Sequence, residues 1–214
     1  DGVGHHIWSA SAILACYLEQ QSLLGPAASL CLGRRVLELG AGCGLAGIIA
    51  AHLGAHVTLT DIGQVLETTQ RNATGNAPSN TLQEELTVRE LRWGTDIRRD
   101  FQRGEFDVIL GSDLTYNEDL HGPLILTLLQ LLDEKTQVLL VHATRDNKSE
   151  LWQKRFRRYF EVDVLLSNME VSEYAAKGWI TAPKRATTVY RLQLFGPPPF
   201  DDDLAILLES IKSE

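Results

Sequence analysis

Val36-Leu37-Glu38-Leu39-Gly40-Ala41-Gly42-Cys43-Gly44-Leu45-Ala46-Gly47 is the stretch on which the reading of the chain turns. An apolar strand runs into a cluster of glycines, and the cluster opens a helix through Ile48-Ile49-Ala50-Ala51-His52-Leu53. Glycines this close together let the backbone approach a ligand where any Cβ would clash. The unpaired N–H groups of the helix's first turn then face that ligand. Glu38 stands one residue before the turn, and a carboxylate there repels phosphate. It can instead accept hydrogen bonds from ribose hydroxyls or from an ammonium group.

The pattern Glu-x-Gly-x-Gly-x-Gly resembles the first motif of class I S-adenosylmethionine methyltransferases more than a phosphate cradle. A rival lies in the same letters, because Gly42-x-Gly44-x-x-Gly47 also satisfies the dinucleotide fingerprint. That fingerprint wants an acidic residue about twenty positions on. Asp61, ending His56-Val57-Thr58-Leu59-Thr60-Asp61, serves either family as a ribose-binding carboxylate. A third reading gives the glycines only a tight turn and close helix packing. The rest of the chain separates these possibilities.

The chain has 214 residues, 44% hydrophobic and 22% charged, which suits one α/β domain with a full core. Its formal charge of −8 and pI near 5.3 argue against a general nucleic-acid-binding surface and leave room for a basic protein partner. Cys16, Cys31 and Cys43 form no C-x-x-C pair, so they read as free thiols in a reducing compartment with no zinc site. No apolar run approaches the ~18 residues of a membrane span, and no signal-peptide pattern appears. A cytoplasmic location is expected, with the nucleus as the other option, and a monomer. The chain opens on Asp1, not Met, which leaves room for a preceding segment.

Adjacent His5 and His6 lack partner ligands at metal-site spacing and read as exposed or capping histidines. Ser9 is placed to cap a helix over 10–24, whose apolar residues recur at helical spacing before Gly25-Pro26 ends it. Strands follow at 35–39, 57–61, 86–91, 106–111 and 138–142. Helices are expected at 45–53, 63–76, 120–132 and 151–160. In that last helix, Trp152, Phe156 and Tyr159 should pack inward while Lys154, Arg155, Arg157 and Arg158 stay solvated. Residues 160–166 and 188–194 read as two final strands with no regular helix between them.

Alternating strands and helices predict a parallel sheet wound on both faces. The final pair predicts an antiparallel strand at one edge of a seven-stranded sheet, where a nucleotide dehydrogenase would continue with another crossover. A helix preceding the first strand points the same way. After Gly196-Pro197-Pro198-Pro199-Phe200, Asp201–Asp203 cap an expected amphipathic helix at 204–211. The expected organisation is a single domain over 1–214, with an N-terminal helical region at 1–25 and a C-terminal tail at 197–214.

In open parallel sheets, ligands sit outside the carboxyl ends of the strands. The residues there are Glu38 with the glycine loop, Asp61, Trp93, and Ser112-Asp113-Leu114-Thr115-Tyr116. Glu38 or its neighbouring backbone is placed to meet an ammonium, and Asp61 to accept ribose hydroxyls. Trp93 can flank an adenine or simply close a core. Asp113-x-x-Tyr116 suits a lysine acceptor: a carboxylate to hold the ammonium and an aromatic wall beside it. The plain alternative for Asp113 is a cap on the following turn. His142, ending the fifth strand, is either a proton acceptor or a satisfied strand-end histidine.

Ile7-Trp8-x-x-Ala, the glycine stretch, Thr60-Asp61, Arg92-Trp93-Gly94 and Gly111-Ser112-Asp113-Leu114-Thr115-Tyr116 occur in this order. Together they resemble methyltransferase family 16, the seven-strand protein-lysine methyltransferases similar to the METTL21 group. The likeness runs from Ile7 to Leu194. It implies that Trp8, the loop Gly40, Ala41 and Gly42, Asp61, Trp93 and Ser112 contact S-adenosylmethionine, which leaves as S-adenosylhomocysteine. It implies that Asp113 and Tyr116 shape the lysine site, without a metal. It also implies a protein substrate such as a translation elongation factor, a chaperone or an AAA ATPase. Cys43 stands where the family usually has threonine, Ser112 where alanine is common, and Thr115 where an apolar residue is usual. The alternatives are another acceptor on the same fold (a histidine, an N-terminal amine or an RNA base), an NAD-linked oxidoreductase, and a non-catalytic interaction module.

Overall fold

A computed structural model describes residues 6–79, 85–145 and 150–196. The expected helix at 204–211 and its acidic cap lie outside these residues, as does His5. Seven strands form one sheet: β1 (Arg35–Leu39), β2 (His56–Asp61), β3 (Leu86–Glu90), β4 (Val108–Ser112), β5 (Gln137–Ala143), β6 (Phe160–Leu166) and β7 (Thr187–Leu194). Their order across the sheet is β3-β2-β1-β4-β5-β7-β6. The first five run parallel. The reversal comes at the predicted edge. There β7 pairs antiparallel with β5, and β6 lies outermost, antiparallel to β7.

β1, at the centre, is buried on both faces, and its side chains alternate between two cores. Val36 joins a core under α1 (Ser9–Leu23), α2 (Leu45–His52), α3 (Gly63–Asn76) and α6 (Asn168–Ala176). Leu37 and Leu39 join the opposite core, under α4 (His121–Leu131) and α5 (Glu150–Phe156). The chain order reverses between β1 and β4, and the crevice above that point is where an open α/β sheet binds ligands.

Two local expectations change. Ser9 is the first residue of α1 and not its cap; the cap position is Trp8, in extended backbone, whose carbonyl accepts from the Ser11 hydroxyl at 2.8 Å. Residues 168–176, expected to be irregular, form α6. Its start is a capping box in which Ser167 accepts from the Glu170 N–H and the Glu170 carboxylate accepts from the Ser167 N–H. Only Val171 of this helix is buried, so it carries almost no apolar periodicity.

Trp152, on α5, is 1% exposed and fixes the face under β5 and β7. Its ring meets Tyr190 edge-on at 5.0 Å, Phe156 at 5.5 Å and His142 at 5.4 Å. Trp152→Ala should destabilise the fold by about 3–5 kcal/mol, read as a lowered urea midpoint.

Candidate active site

The carboxyl ends of the first five strands converge on one cavity of about 720 Å³. It is lined by Trp8, Gly40, Ala41, Gly42, Asp61, Trp93, Ser112, Asp113 and Tyr116, so nine of the ten expected site residues share its wall. Glu38 is the exception and a correction. Its side chain is completely buried beneath the glycine loop, where Oε2 accepts from the Gly47 N–H at 2.8 Å. Glu38 shares a strand face with Val36, under α2, and so cannot reach a ligand above the sheet. Its role is to hold the first turn of α2 from below, through the Gly47 N–H. Burial pushes its carboxyl up to about 8, the Gly47 N–H opposing and the nearby Asp61 charge reinforcing.

The glycine loop is built before any ligand arrives. The Ala41 N–H donates to the Thr60 carbonyl at 2.9 Å, and the Gly42 N–H to Asp61 Oδ2 at 2.8 Å. From α3, Thr69 Oγ1 donates to the Gly42 carbonyl at 2.6 Å and Asn72 Nδ2 to the Cys43 carbonyl at 3.0 Å. Two glycines are tightly enclosed, so that a side chain there would force its neighbours to shift. At Gly40, with φ +55°, a Cβ would lie 2.9 Å from Leu114 Cδ2 and 3.2 Å from Trp93 Cζ2. At Gly47 it would lie 2.2 Å from Leu59 Cδ2 and 2.7 Å from Glu38 Oε2. The second Asp61 oxygen accepts from the Ile62 N–H at 2.8 Å. A carboxylate has about four lone-pair sites, so both oxygens keep capacity for ligand hydroxyls. Burial raises the Asp61 carboxyl, and the two N–H donors pull it back.

The other half of the cavity is set by the segment after β4. Asp113 takes φ +59°, the one left-handed backbone among the described non-glycine residues. Its N–H reaches past β4 to the Val141 carbonyl at 2.7 Å. Its carboxylate is gripped by both terminal nitrogens of Arg145, Nη1 to Oδ1 at 2.6 Å and Nη2 to Oδ2. The same guanidinium lies 5.1 Å from the centre of the Tyr116 ring, which is 49% exposed at the cavity wall. Arg145 also lines the cavity. Sequence reasoning missed it, although a polar residue just past the end of β5 is where the strand-end rule looks.

Behind this segment two histidines hold Thr115. His121 Nδ1 accepts from Arg155 at 3.3 Å, so its Nε2–H donates to the Thr115 carbonyl at 3.0 Å. Arg155 also donates to the Glu118 carbonyl at 2.9 Å and is therefore tucked inward, not solvated as expected. His142 Nδ1 pairs with Thr115 Oγ1 at 2.7 Å. His142 is buried and does not line the cavity, which makes it a support and not a proton acceptor. Among the described residues no group of three or more His, Cys, Asp or Glu could hold a metal, and no helix is long and apolar enough to cross a membrane.

Comparison with known proteins agrees with this geometry. The lysine methyltransferase family model matches residues 1–159. The chain belongs to that family. It is 38% identical over 161 residues to mouse (Mus musculus) protein N-lysine methyltransferase METTL21A, covering 75% of this chain and 70% of that one. It is 33% identical over 171 residues to EEF1A lysine methyltransferase 3 of Xenopus tropicalis, covering 79% and 71%. Among solved structures, magnesium protoporphyrin IX methyltransferase from Synechocystis PCC 6803 superposes with a TM-score of 0.59 at 15% identity, covering 87% and 80%. A ribosomal protein L11 methylase from Lactobacillus delbrueckii subsp. bulgaricus gives 0.54 at 18%, covering 83% and 78%. These two likenesses carry the fold alone: the seven-stranded sheet of class I methyltransferases, consistent with the order β3-β2-β1-β4-β5-β7-β6 found here.

Burial lowers the His142 imidazole to about 4, well under its ordinary 6.5. A neutral form favoured by folding contributes stability above pH 6.5 that is lost as pH falls through 6.5 toward 4. His142→Gln should remove about 2 kcal/mol of that acid loss, seen as a flatter stability–pH curve than the wild type's between pH 6.5 and 4.

Proposed function

We propose that the cavity binds S-adenosylmethionine along its β1–β3 side and admits the side chain of a protein lysine along its β4–β5 side. The observation that carries this is one continuous space touching both Asp61 with the glycine loop and Asp113 with Tyr116. The residues fit a nucleoside linked to an amino acid. A carboxylate with spare lone pairs faces the ribose position, Trp93 offers a flat wall for a base, and the glycine loop presents bare backbone. Trp8 and Ser112 line the space between and close on the amino-acid portion. S-adenosylmethionine supplies a sulfonium methyl: the amine lone pair forms the N–C bond as the C–S pair stays on sulfur, leaving S-adenosylhomocysteine.

The chain's own residues do the rest by placement. Tyr116, half exposed, forms one wall of the acceptor slot, and its ring face attracts the Arg145 guanidinium by ~0.5–2 kcal/mol. Asp113 accepts from the acceptor nitrogen and turns it toward the cofactor. The Thr115 clamp keeps both in register. The family and its named relatives act on protein lysines, and the same acceptor is assigned here. EEF1A, from the name of one relative, is the first candidate substrate; chaperones and AAA ATPases are the next. A monomer acting in the cytoplasm or nucleus completes the proposal.

Incubating the protein with cell lysate and methyl-labelled cofactor, then hydrolysing the labelled band, should yield methyl-lysine; methylhistidine or a labelled nucleotide would replace lysine as the acceptor. In thermal scanning, S-adenosylhomocysteine should raise the melting temperature and NAD should not. Asp61→Ala should weaken S-adenosylhomocysteine binding by about ten- to a hundredfold. Asp113→Asn should cut methyl transfer at least about tenfold while leaving that binding within about twofold.

A further inference from the structure

We propose that Arg145 is a positioning residue for the acceptor amine: by holding Asp113 as an ion pair, it makes the slot beside Tyr116 favour a neutral amine over an ammonium. This rests on the lysine reading above. A lysine attacks only after losing its proton, and its ordinary pKa of ~10.4 means that little is neutral at pH 7. A lone carboxylate in a half-closed slot would bind the ammonium well and hold that proton in place. Tight binding of the wrong protonation state slows transfer.

The geometry shows a different arrangement. Asp113's side chain is 9% exposed and Arg145's 26%. The guanidinium meets both carboxylate oxygens at once and covers the Tyr116 ring. A planar fork matched to both oxygens is not displaced by the single-point charge of a lysine. The slot therefore offers a nearly neutral pair, whose permanent cation disfavours a second cation beside it. The outer lone pairs of Asp113 still accept from an amine N–H, so the acid orients the nitrogen without retaining its extra proton. That proton leaves to water through the open mouth of the cavity. The other charged or titratable groups facing the space do not cancel the effect. Arg92 and Arg185 add positive charge on exposed wall, and neither exposed His6 nor the Cys43 thiol, which burial pushes up, adds a negative one. His142 lies beneath Asp113 and is held neutral. Asp61 faces the β2 side, where its oxygens meet the Gly42 and Ile62 N–H groups and the ribose position. The left-handed backbone of Asp113 and its bond to Val141 fix the acid where only a residue following β5 can reach it.

Two measurements on the full chain test this. The first uses n-butylamine as the probe, titrated at pH 7 into enzyme saturated with S-adenosylhomocysteine. Arg145→Gln should bind the butylammonium at least about threefold more tightly than the wild type, because it uncovers Asp113, and Arg145→Lys, which keeps the charge but not the fork, should fall between the two. The second is the pH profile of kcat, which reports the bound amine, on the lysine-bearing protein labelled in lysate. Its acid limb should move up by about one unit in Arg145→Gln, by less in Arg145→Lys, and move down in Asp113→Asn, which leaves the guanidinium without its partner. Melting temperature and S-adenosylhomocysteine affinity check that each variant folds. Should Arg145→Gln fail to fold, Arg145→Lys carries the test, by tighter butylammonium binding and a raised acid limb relative to the wild type. Unchanged or weaker butylammonium binding, or limbs that do not move, would mean that Arg145 only braces the loop. If the wild type labels no lysine at all, the acceptor assignment falls instead, and the butylammonium comparison still decides what Arg145 does to Asp113.

Discussion

Two carboxylates grip the glycine loop from opposite sides, and the rest of the site depends on that grip. Glu38 takes the Gly47 N–H from beneath; Asp61 takes the Gly42 N–H from the ligand side. A backbone this bare has many conformations to lose, and glycine loses the most. The two acids, with Thr69 and Asn72 on the loop carbonyls, impose one conformation before a ligand enters. The cost sits on Glu38. It is fully buried, its carboxyl is pushed up to about 8, and its Oε1 has no hydrogen-bond partner. An unsatisfied buried acceptor is unfavourable in itself, so it persists only where the geometry it secures is needed elsewhere.

What could be read in the letters follows from the range of the interactions. Glycine's freedom, strand runs and strand-end acids are local properties, and they placed the loop, Asp61 and the segment 112–116 around one cavity. The side of β1 on which Glu38 lies was also legible. Counting in twos from Val36 puts it under α2, and weighing its charge against a ligand's obscured that count. The helix at 168–176 had its signature in Ser167-x-x-Glu170, but with Val171 alone buried there was no apolar stripe to draw attention to it. Arg145 is a different matter. Its partner is 32 residues away, and nothing near Arg145 in sequence says that a guanidinium will close on Asp113. Long-range ion pairs depend on how β4 and β5 lie side by side, and only the register supplies that.

The switch point between β1 and β4 divides the labour. On the β1–β3 side the groups are backbone, one carboxylate and one indole. These suit binding by shape and hydrogen bonds. On the β4–β5 side the groups are charged, and they are braced from below by His121, His142 and Arg155. Neutral imidazoles suit that place, because a cation under Thr115 would compete with Arg145 for the field of Asp113. Burial keeps both histidines neutral at physiological pH. The acceptor half of the cavity thus contains one anion, one cation locked to it, and an aromatic face. That set disfavours a second cation and has a strong preference for orientation. An amine that must arrive as a cation, shed a proton and then attack needs orientation to outlast its charge, and a carboxylate already neutralised by its own chain supplies that.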